Sequence, residues 1–165
     1  MPENIVFFGD WSNLSRGQKD MKYKRGQYSK EAGFRKMEQW LSQLGHVSWK
    51  LIYTPMHDVY GHYLFLKERG YRSILCPATY FGEDTTDAII IEDLKNLIAN
   101  YRMNIICLGS GDGGFHDVLQ LAKNRGIKVA IVYGSEISLS SELRIMADID
   151  PITCEPMLYH FDPTN

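Results

Sequence analysis

The stretch "IICLGSGDGGFHDVLQLAKNRG", residues 105–126, decides the fold class of this 165-residue chain. It begins with an apolar run that is typical of a buried strand, and it ends with apolar residues at helical spacing before a glycine. A short glycine-rich turn joins the two segments. A buried strand that leads through a tight turn into a helix is the unit from which parallel α/β sheets are built.

The same alternation of strand and helix continues along the rest of the chain. The predicted strands cover residues 5–8, 47–53, 73–76, 104–108 and 128–133, and the predicted helices cover residues 29–44, 59–68, 86–100, 115–124 and 140–148. Strands that are separated by crossover helices predict a parallel sheet with helices on both faces. We therefore expect a single α/β domain over residues 1–165.

Composition excludes several classes of protein. Hydrophobic residues make up 44% of the chain and charged residues 23%, which is typical of a folded domain and argues against disorder. No apolar stretch approaches the ~18 residues that a membrane-spanning helix needs, so we expect no membrane association. The three cysteines cannot all pair, and two of them lie in or beside apolar runs. This cysteine usage predicts a cytoplasmic protein.

A basic segment stands out against the net charge of −2. Residues 16–36 contain eight Lys or Arg against two acids, together with glycines and tyrosines, which we interpret as a mobile binding loop. Its cations would neutralise the charge of a polyanion such as a nucleic acid, although a solvated surface is the alternative. The candidate nucleic-acid contacts are Arg16, Lys19, Lys22, Lys24 and Arg25. Trp11, just before this segment, could either stack on a base or pack in the core.

Three aspartates lie where the loops of a parallel sheet converge. Asp10 follows the first predicted strand, Asp112 follows the fourth, and Asp87 begins the helix between the third and fourth strands. If the first and fourth strands are neighbours, Asp10 and Asp112 face each other across the crevice. Clustered carboxylates repel one another, and a hard divalent cation such as Mg²⁺ removes that penalty. Capping of turns and helices is the alternative for each aspartate.

Two other enzyme classes fit the sequence less well. Gly109, Gly111 and Gly114 have the spacing of a dinucleotide-binding turn, but they follow the fourth strand, and Asp112 would place its charge against the pyrophosphate. The glycines are better interpreted as the tight backbone that presents Asp112. A phosphatase with an aspartate nucleophile at Asp10 would need a second acid two residues later, where Ser12 stands.

Four motifs, in the right order, resemble NYN domains, in particular the LabA-like branch of the PIN-like nucleases. "VFFGDWSNL" (6–14) resembles the strand–Asp–x–x–Asn opening, and "TTDAIIIEDL" (85–94) resembles the family's acidic helix. "LGSGDGGFHDVLQLAKNRGIKVAIVYG" (108–134) is similar to the Ser-Gly-Asp-x-Asp-Phe block with its helix and strand, and "SSELRIMADID" (140–150) matches the closing helix. The resemblance covers nearly the whole chain.

The resemblance implies a PIN-like three-layer fold, with a central, mainly parallel sheet flanked by helices. It also implies Mg²⁺- or Mn²⁺-dependent hydrolysis of phosphodiester bonds, usually in RNA. By position, Asp10, Asp87 and Asp112 would be the metal-binding catalytic carboxylates. Asn13 would orient the first loop or bind substrate, and Ser110 would support the turn at Asp112.

One departure from the family pattern leaves two functions open. Gly114 stands where the family has its second acid in the Ser-Gly-Asp-x-Asp block, and the candidate substitutes are Asp117, Glu83, Asp84 and Asp93. The first function is a metal-dependent ribonuclease acting on single-stranded or structured RNA. The second is a weakened or inactive domain that binds RNA or regulates. A homodimer is left open in both cases.

Overall fold

The computed structural model describes residues 2–19, 30–58 and 63–161. The strands are β1 (Asn4–Asp10), β2 (His46–Pro55), β3 (Arg72–Cys76), β4 (Ile105–Gly109), β5 (Lys128–Tyr133) and β6 (Leu158–His160). The helices are α1 (Trp11–Lys19), α2 (Lys30–Leu44), α3 (Tyr63–Glu68), α4 (Thr86–Asn100), α5 (His116–Asn124) and α6 (Ser141–Arg144). None of the helices in these ranges is both long and apolar enough to cross a membrane.

The strands form one parallel sheet in the order β3-β2-β1-β4-β5-β6. The strand order reverses at β1, which lies between β2 and β4, so the loops after β1 and β4 leave the same edge on either side of a crevice. Gly9 pairs with Gly109 in the register of these two strands. The fold is therefore the expected α/β sheet flanked by helices, and the predicted neighbourhood of the first and fourth strands is confirmed.

Alternating side chains of β1 build a core on each face of the sheet. Val6 and Phe8 pack in one cluster with the apolar faces of α4 and α5. Ile5 and Phe7 pack in the other cluster with α1, α2 and α3. Successive residues of a strand point to opposite faces, so the continuous apolar run at the start of the chain becomes a strand that is buried on both sides.

Helix α1 corrects the interpretation of the basic segment. Residues 16–36 were interpreted as a binding loop, yet α1 covers Trp11–Lys19, so that interpretation is wrong for residues 16–19. Helix α2 begins at Lys30, in agreement with the helix predicted over residues 29–44. Residues 20–29 lie outside the described residues. The helix forms because Trp11 and Leu14, three residues apart, both insert into the core. Only two of the nine residues of α1, Trp11 and Leu14, are large and apolar, which makes too weak a pattern to be seen beside the charges.

The remaining differences between prediction and structure lie near the end of the chain and in the helix predicted over residues 59–68. Strand β6 was not predicted, because Leu158–His160 is too short to show an alternating pattern. Helix α6 ends at Arg144, earlier than expected. The helix predicted over residues 59–68 is described only from Tyr63 onward, since residues 59–62 lie outside the described ranges.

Glycines allow α1 to cross the carboxyl edge of the sheet closely. A Cβ atom on Gly134 would lie 2.5 Å from the carbonyl oxygen of Asn13, and one on Gly109 would lie 3.0 Å from the Cα of Gly9. Both distances are too short for a side chain, so these backbone segments touch only because glycine is present. This close packing places Asn13 against the loop that follows β4.

Candidate functional site

The three predicted aspartates meet at the carboxyl edge of the sheet. Asp10 ends β1 and is only 5% exposed, Asp87 lies in the first turn of α4, and Asp112 follows β4. The carboxyl group of Asp87 is in hydrogen-bonding contact with the carboxyl groups of both Asp10 and Asp112. We call these three residues, together with Asp84, whose charge acts on both Asp10 and Asp87, the carboxylate cluster.

Burial and mutual repulsion favour the protonated forms of two cluster residues. Burial, and then the charge of Asp87, raise the pKa of Asp10 to about 7, although the backbone N–H of Asn13 opposes the shift. Burial, and then the charge of Asp112, raise the pKa of Asp87 to about 6. At neutral pH the cluster therefore holds negative charge at a free-energy cost, which an added cation would reduce.

The protein supplies no basic partner to three of these aspartates within the described ranges. The acids in ion pairs there are Glu3, Glu38, Asp117, Glu136 and Asp148. Among the described residues, Asp10, Asp87 and Asp112 therefore have no basic side chain that would neutralise their charge. A group of carboxylate oxygens without basic side chains beside it suits a hard divalent ion such as Mg²⁺ or Mn²⁺.

The cluster is not, however, a preformed coordination shell. Across residues 2–19, 30–58 and 63–161, no group of three or more His, Cys, Asp or Glu side chains is arranged to hold a metal ion. The carboxyl groups contact one another in pairs, Asp10 with Asp87 and Asp87 with Asp112. The carboxylate oxygens suit a hard divalent ion by their chemistry, but a cation at this site would have to replace these contacts between carboxyl groups.

Asn13 and Ser110, both buried, hold the two loops that carry Asp10 and Asp112. The Oδ1 of Asn13 accepts a hydrogen bond from the backbone N–H of Gly111 at 3.0 Å, and the N–H of Asn13 donates to Asp10 Oδ1 at 3.4 Å. Ser110 Oγ accepts from the N–H of Asp112 at 3.2 Å. Of the two roles expected for Asn13, this geometry supports orientation of the loop.

Among the four candidate substitutes for the missing acid, Asp84 is the one that acts on the cluster. Its Oδ1 accepts from the backbone N–H and the Oγ1 of Thr86, at 2.9 and 2.7 Å, and so caps the start of α4. Asp93 instead accepts from Tyr53 Oη at 2.6 Å, and the exposed Asp117 contacts His116. The sequence had already named Asp84 as a candidate, and its place just before the start of α4 is one where aspartate commonly caps a helix.

Gly114 leaves open space beside Asp112. A Cβ atom there would meet only Asp112 Oδ1, at 3.4 Å, which is ordinary contact. The glycine also lines a cavity of about 420 Å³; the other lining residues are Gly113, His116, Asp117, Glu142 and Ile145. A side chain at position 114 would therefore fit without displacing its neighbours.

The structure describes only some of the residues that were expected to contact nucleic acid. Trp11 is 4% exposed and stacks on Phe34 in the core, at 6.3 Å between ring centroids, so of its two expected uses the structure shows packing in the core and contradicts stacking on a base. Indole burial of this kind stabilises the fold through apolar area. Arg16 and Lys19 belong to α1. The remaining candidates lie outside the described residues; they are Lys22, Lys24 and Arg25.

The metal-free protein is expected to lose stability as pH rises from about 4 to about 7. Asp10 has a pKa of about 7 in the folded protein, against an ordinary value of 3.8, so the folded state holds more protons between these values. Its stabilising contribution is complete below pH 3.8 and disappears as pH passes 7. At about 1.4 kcal/mol per pKa unit, we expect a loss of a few kcal/mol.

Thermal unfolding in EDTA across this pH range measures the effect. Asp10→Asn removes the titrating group, so its melting temperature should fall less steeply with pH than that of the wild type. Parallel slopes for the two proteins would show that Asp10 ionises freely in the folded state.

Comparisons with known proteins agree with this architecture. The family model described as "NYN domain" matches residues 4–155. The chain is also similar to a solved structure, a protein of unknown function from Vibrio parahaemolyticus RIMD 2210633, with a TM-score of 0.70 and 18% sequence identity. That similarity covers 98% of this chain and 94% of the other, and at this identity it shows the fold alone. The search of curated proteins gave no significant match.

Proposed function

Because the chain belongs to the NYN domain family, part of the PIN-like nuclease superfamily, we propose that it is a metal-dependent ribonuclease. The substrate class is RNA, and the reaction is hydrolysis of a phosphodiester bond with Mg²⁺ or Mn²⁺ at the carboxylate cluster. The observation that carries this proposal is the meeting of Asp10, Asp87 and Asp112, which come from three separate elements. Membership of the LabA-like branch stays a prediction.

In this proposal Asp10, Asp87 and Asp112 hold the ion, and the residues around them keep the loops in place. A divalent ion at such a site supplies an activated water and neutralises charge on the phosphoryl group. Asn13 ties the loop of Asp10 to the loop of Asp112, because its side chain accepts from the N–H of Gly111. No side-chain nucleophile is required, since water is the attacking group.

The partner and cellular assignments rest on the sequence. We propose single-stranded or structured RNA as the partner, with cations of the basic segment at residues 16–36 neutralising its phosphates. The three cysteines, all free thiols, support a cytoplasmic location. A homodimer stays a prediction.

A second function is favoured by the site itself. Gly114 replaces an acid of the family pattern, and the carboxyl groups of the cluster contact one another in pairs. A cluster with fewer ligands binds a cation more weakly, because affinity follows the number of charged ligands. The alternative is thus an NYN domain that binds RNA, or regulates, without cutting it.

Calorimetric titration of Mn²⁺ at pH 8 distinguishes the two functions. For a ribonuclease we expect uptake by the wild type with micromolar-to-millimolar affinity, and no uptake by Asp112→Asn, because the variant loses a charged ligand. Glu92→Gln is the matched control, since Glu92 is an exposed acid on α4, and it should bind as the wild type does. A wild type without uptake would favour the non-cutting module.

A further inference from the structure

Two large aromatic side chains project into solvent from the loop that also carries Asp84 of the carboxylate cluster. Tyr80 is 98% exposed and Phe81 is 86% exposed, and both lie in the loop between β3 and α4. Their rings meet nearly at right angles, at 86°, with centroids 5.4 Å apart. We call these two residues the aromatic pair. Contiguous exposed apolar surface of this kind usually marks a binding site.

The backbone holds the aromatic pair in place. The N–H of Thr79 donates to the carbonyl oxygen of Glu83, the N–H of Gly82 donates to the carbonyl oxygen of Thr79, and Thr79 Oγ1 accepts from the N–H of Glu83. Gly82 has φ +80°, a conformation that other residues rarely adopt. The rings are therefore presented by a closed turn, whose backbone has little conformational freedom left to lose on binding.

The same loop leads directly into the carboxylate cluster. Asp84 follows Phe81 by three residues, which span at most about 11 Å of extended chain. Asp84 caps α4 through Thr86, and its charge acts on Asp10 and Asp87. A ligand that stacks on the aromatic pair therefore lies beside the cluster.

We propose that the aromatic pair stacks on unpaired bases of an RNA strand and thereby places the adjoining phosphodiester bond at the carboxylate cluster. This inference rests on the proposed ribonuclease function and names the form of its substrate. Aromatic rings stack on any base, because every base has a π-face, but a base inside a duplex is already stacked on its neighbours. The pair thus selects single-stranded segments without selecting their sequence.

The charges of the loop favour bases over other occupants. Residues 77–87 contain three acids and no Lys or Arg, so this loop offers nothing that would bind an RNA phosphate. A base presents a neutral face, which the two rings can cover without any cation. The acids are the loop's contribution to the cluster, where the proposed divalent ion would offset their charge.

Binding of a fluorescent single-stranded oligoadenylate of about 12 nucleotides, within the site sizes known for single-strand binders, tests the proposal by anisotropy in EDTA. Tyr80→Ala and Phe81→Ala should each weaken binding by about 5- to 150-fold, the range measured for loss of one stacking ring. Phe81→Leu should weaken it too, since leucine keeps apolar bulk but has no π-face, whereas Phe81→Trp should bind like the wild type. The same probe annealed to its complement should bind all five proteins equally.

The possible outcomes distinguish failure of the stacking proposal from failure of the proposed ribonuclease function. Both rings are exposed, so the variants should keep the wild-type melting temperature. Unchanged single-strand binding in both alanine variants would overturn the stacking proposal even if the wild type cuts RNA. Loss of self-association instead of RNA binding would also overturn it and would assign the pair to a protein interface. If the alanine variants bind RNA more weakly than the wild type, but the wild type never cuts RNA, the stacking proposal is supported and the ribonuclease function is rejected.

Discussion

Asp10→Asn should reduce Mn²⁺-dependent RNA cleavage by about 100-fold or more and, at the same time, stabilise the metal-free protein at pH 8. The two effects have one cause. Asp10 is a buried residue, and its carboxylate lies beside Asp87 without a basic partner in the described residues. Above its pKa of about 7 it carries a buried charge that suits a cation and destabilises the fold without one.

Asparagine removes that charge while keeping the shape of the side chain. Its Oδ1 can still accept from the N–H of Asn13, so the loop after β1 retains its hydrogen bond. We expect the free energy of unfolding in EDTA at pH 8 to rise by about 1–3 kcal/mol, since each pKa unit that is removed corresponds to about 1.4 kcal/mol. At pH 5 Asp10 is protonated in the folded wild type but mostly ionised in the unfolded chain, so the gain should be smaller, and it should vanish only below pH 3.8.

Chemical unfolding and cleavage of a labelled single-stranded RNA measure the two effects separately. Glu92→Gln removes an exposed acid from α4 and should change neither. Equal cleavage by Asp10→Asn and the wild type would reject the metal-binding role. A variant that is both inactive and less stable would instead assign Asp10 to the support of the fold.

Gly114→Asp should increase Mn²⁺ affinity by about tenfold or more, because cation sites of this kind are tuned by the number of charged ligands. The substitution restores the acid of the Ser-Gly-Asp-x-Asp pattern. The structure has room for it, since a Cβ atom at this position meets only Asp112 Oδ1, at 3.4 Å. Gly114 is also absent from the positive-φ residues of the described chain, so an aspartate is not strained there.

Two neighbouring variants serve as controls for Gly114→Asp. Gly114→Asn has the same size without the charge and should leave Mn²⁺ affinity close to that of the wild type. Gly113→Asp adds the same charge one residue earlier, but its Cβ atom would lie 3.0 Å from Ser140 Oγ, so it should lower the melting temperature. Tighter Mn²⁺ binding with cleavage that appears only in Gly114→Asp would identify the wild type as the non-cutting module. Unchanged affinity would place position 114 outside the metal site.

Local patterns were enough to predict the elements that are long or buried on both faces. Residues 86–100 and 128–133 were predicted as a helix and a strand with the bounds that α4 and β5 have. Residues 86–100 have apolar residues at helical spacing, and residues 128–133 form a continuous apolar run, which is typical of a strand buried on both faces. Helix α1 and strand β6 escaped prediction because each owes its stability to a few contacts with distant parts of the chain.

Some features of the candidate site could likewise be predicted from local sequence, and others depend on the tertiary structure. Asp10 and Asp112 could be placed at strand ends from the sequence, because a parallel sheet brings its carboxyl edges together. Their contacts with Asp87, and the influence of Asp84, depend on where the start of α4 packs against that edge. The side chain of Trp11 depends on α1 in the same manner, and it lies in the core instead of the crevice.

Hydrophobic periodicity and the positions of glycine and aspartate therefore determined the order of strands and helices, the α/β class and the acids at the ends of elements. Such patterns act over a few residues, and they can be read without knowing what lies nearby. The tertiary structure alone decided which acids touch, which pKa values rise and which aromatic rings stay in solvent. Those properties depend on distance and burial between residues far apart in the chain, and only the packing of α1 and α4 on the sheet sets them.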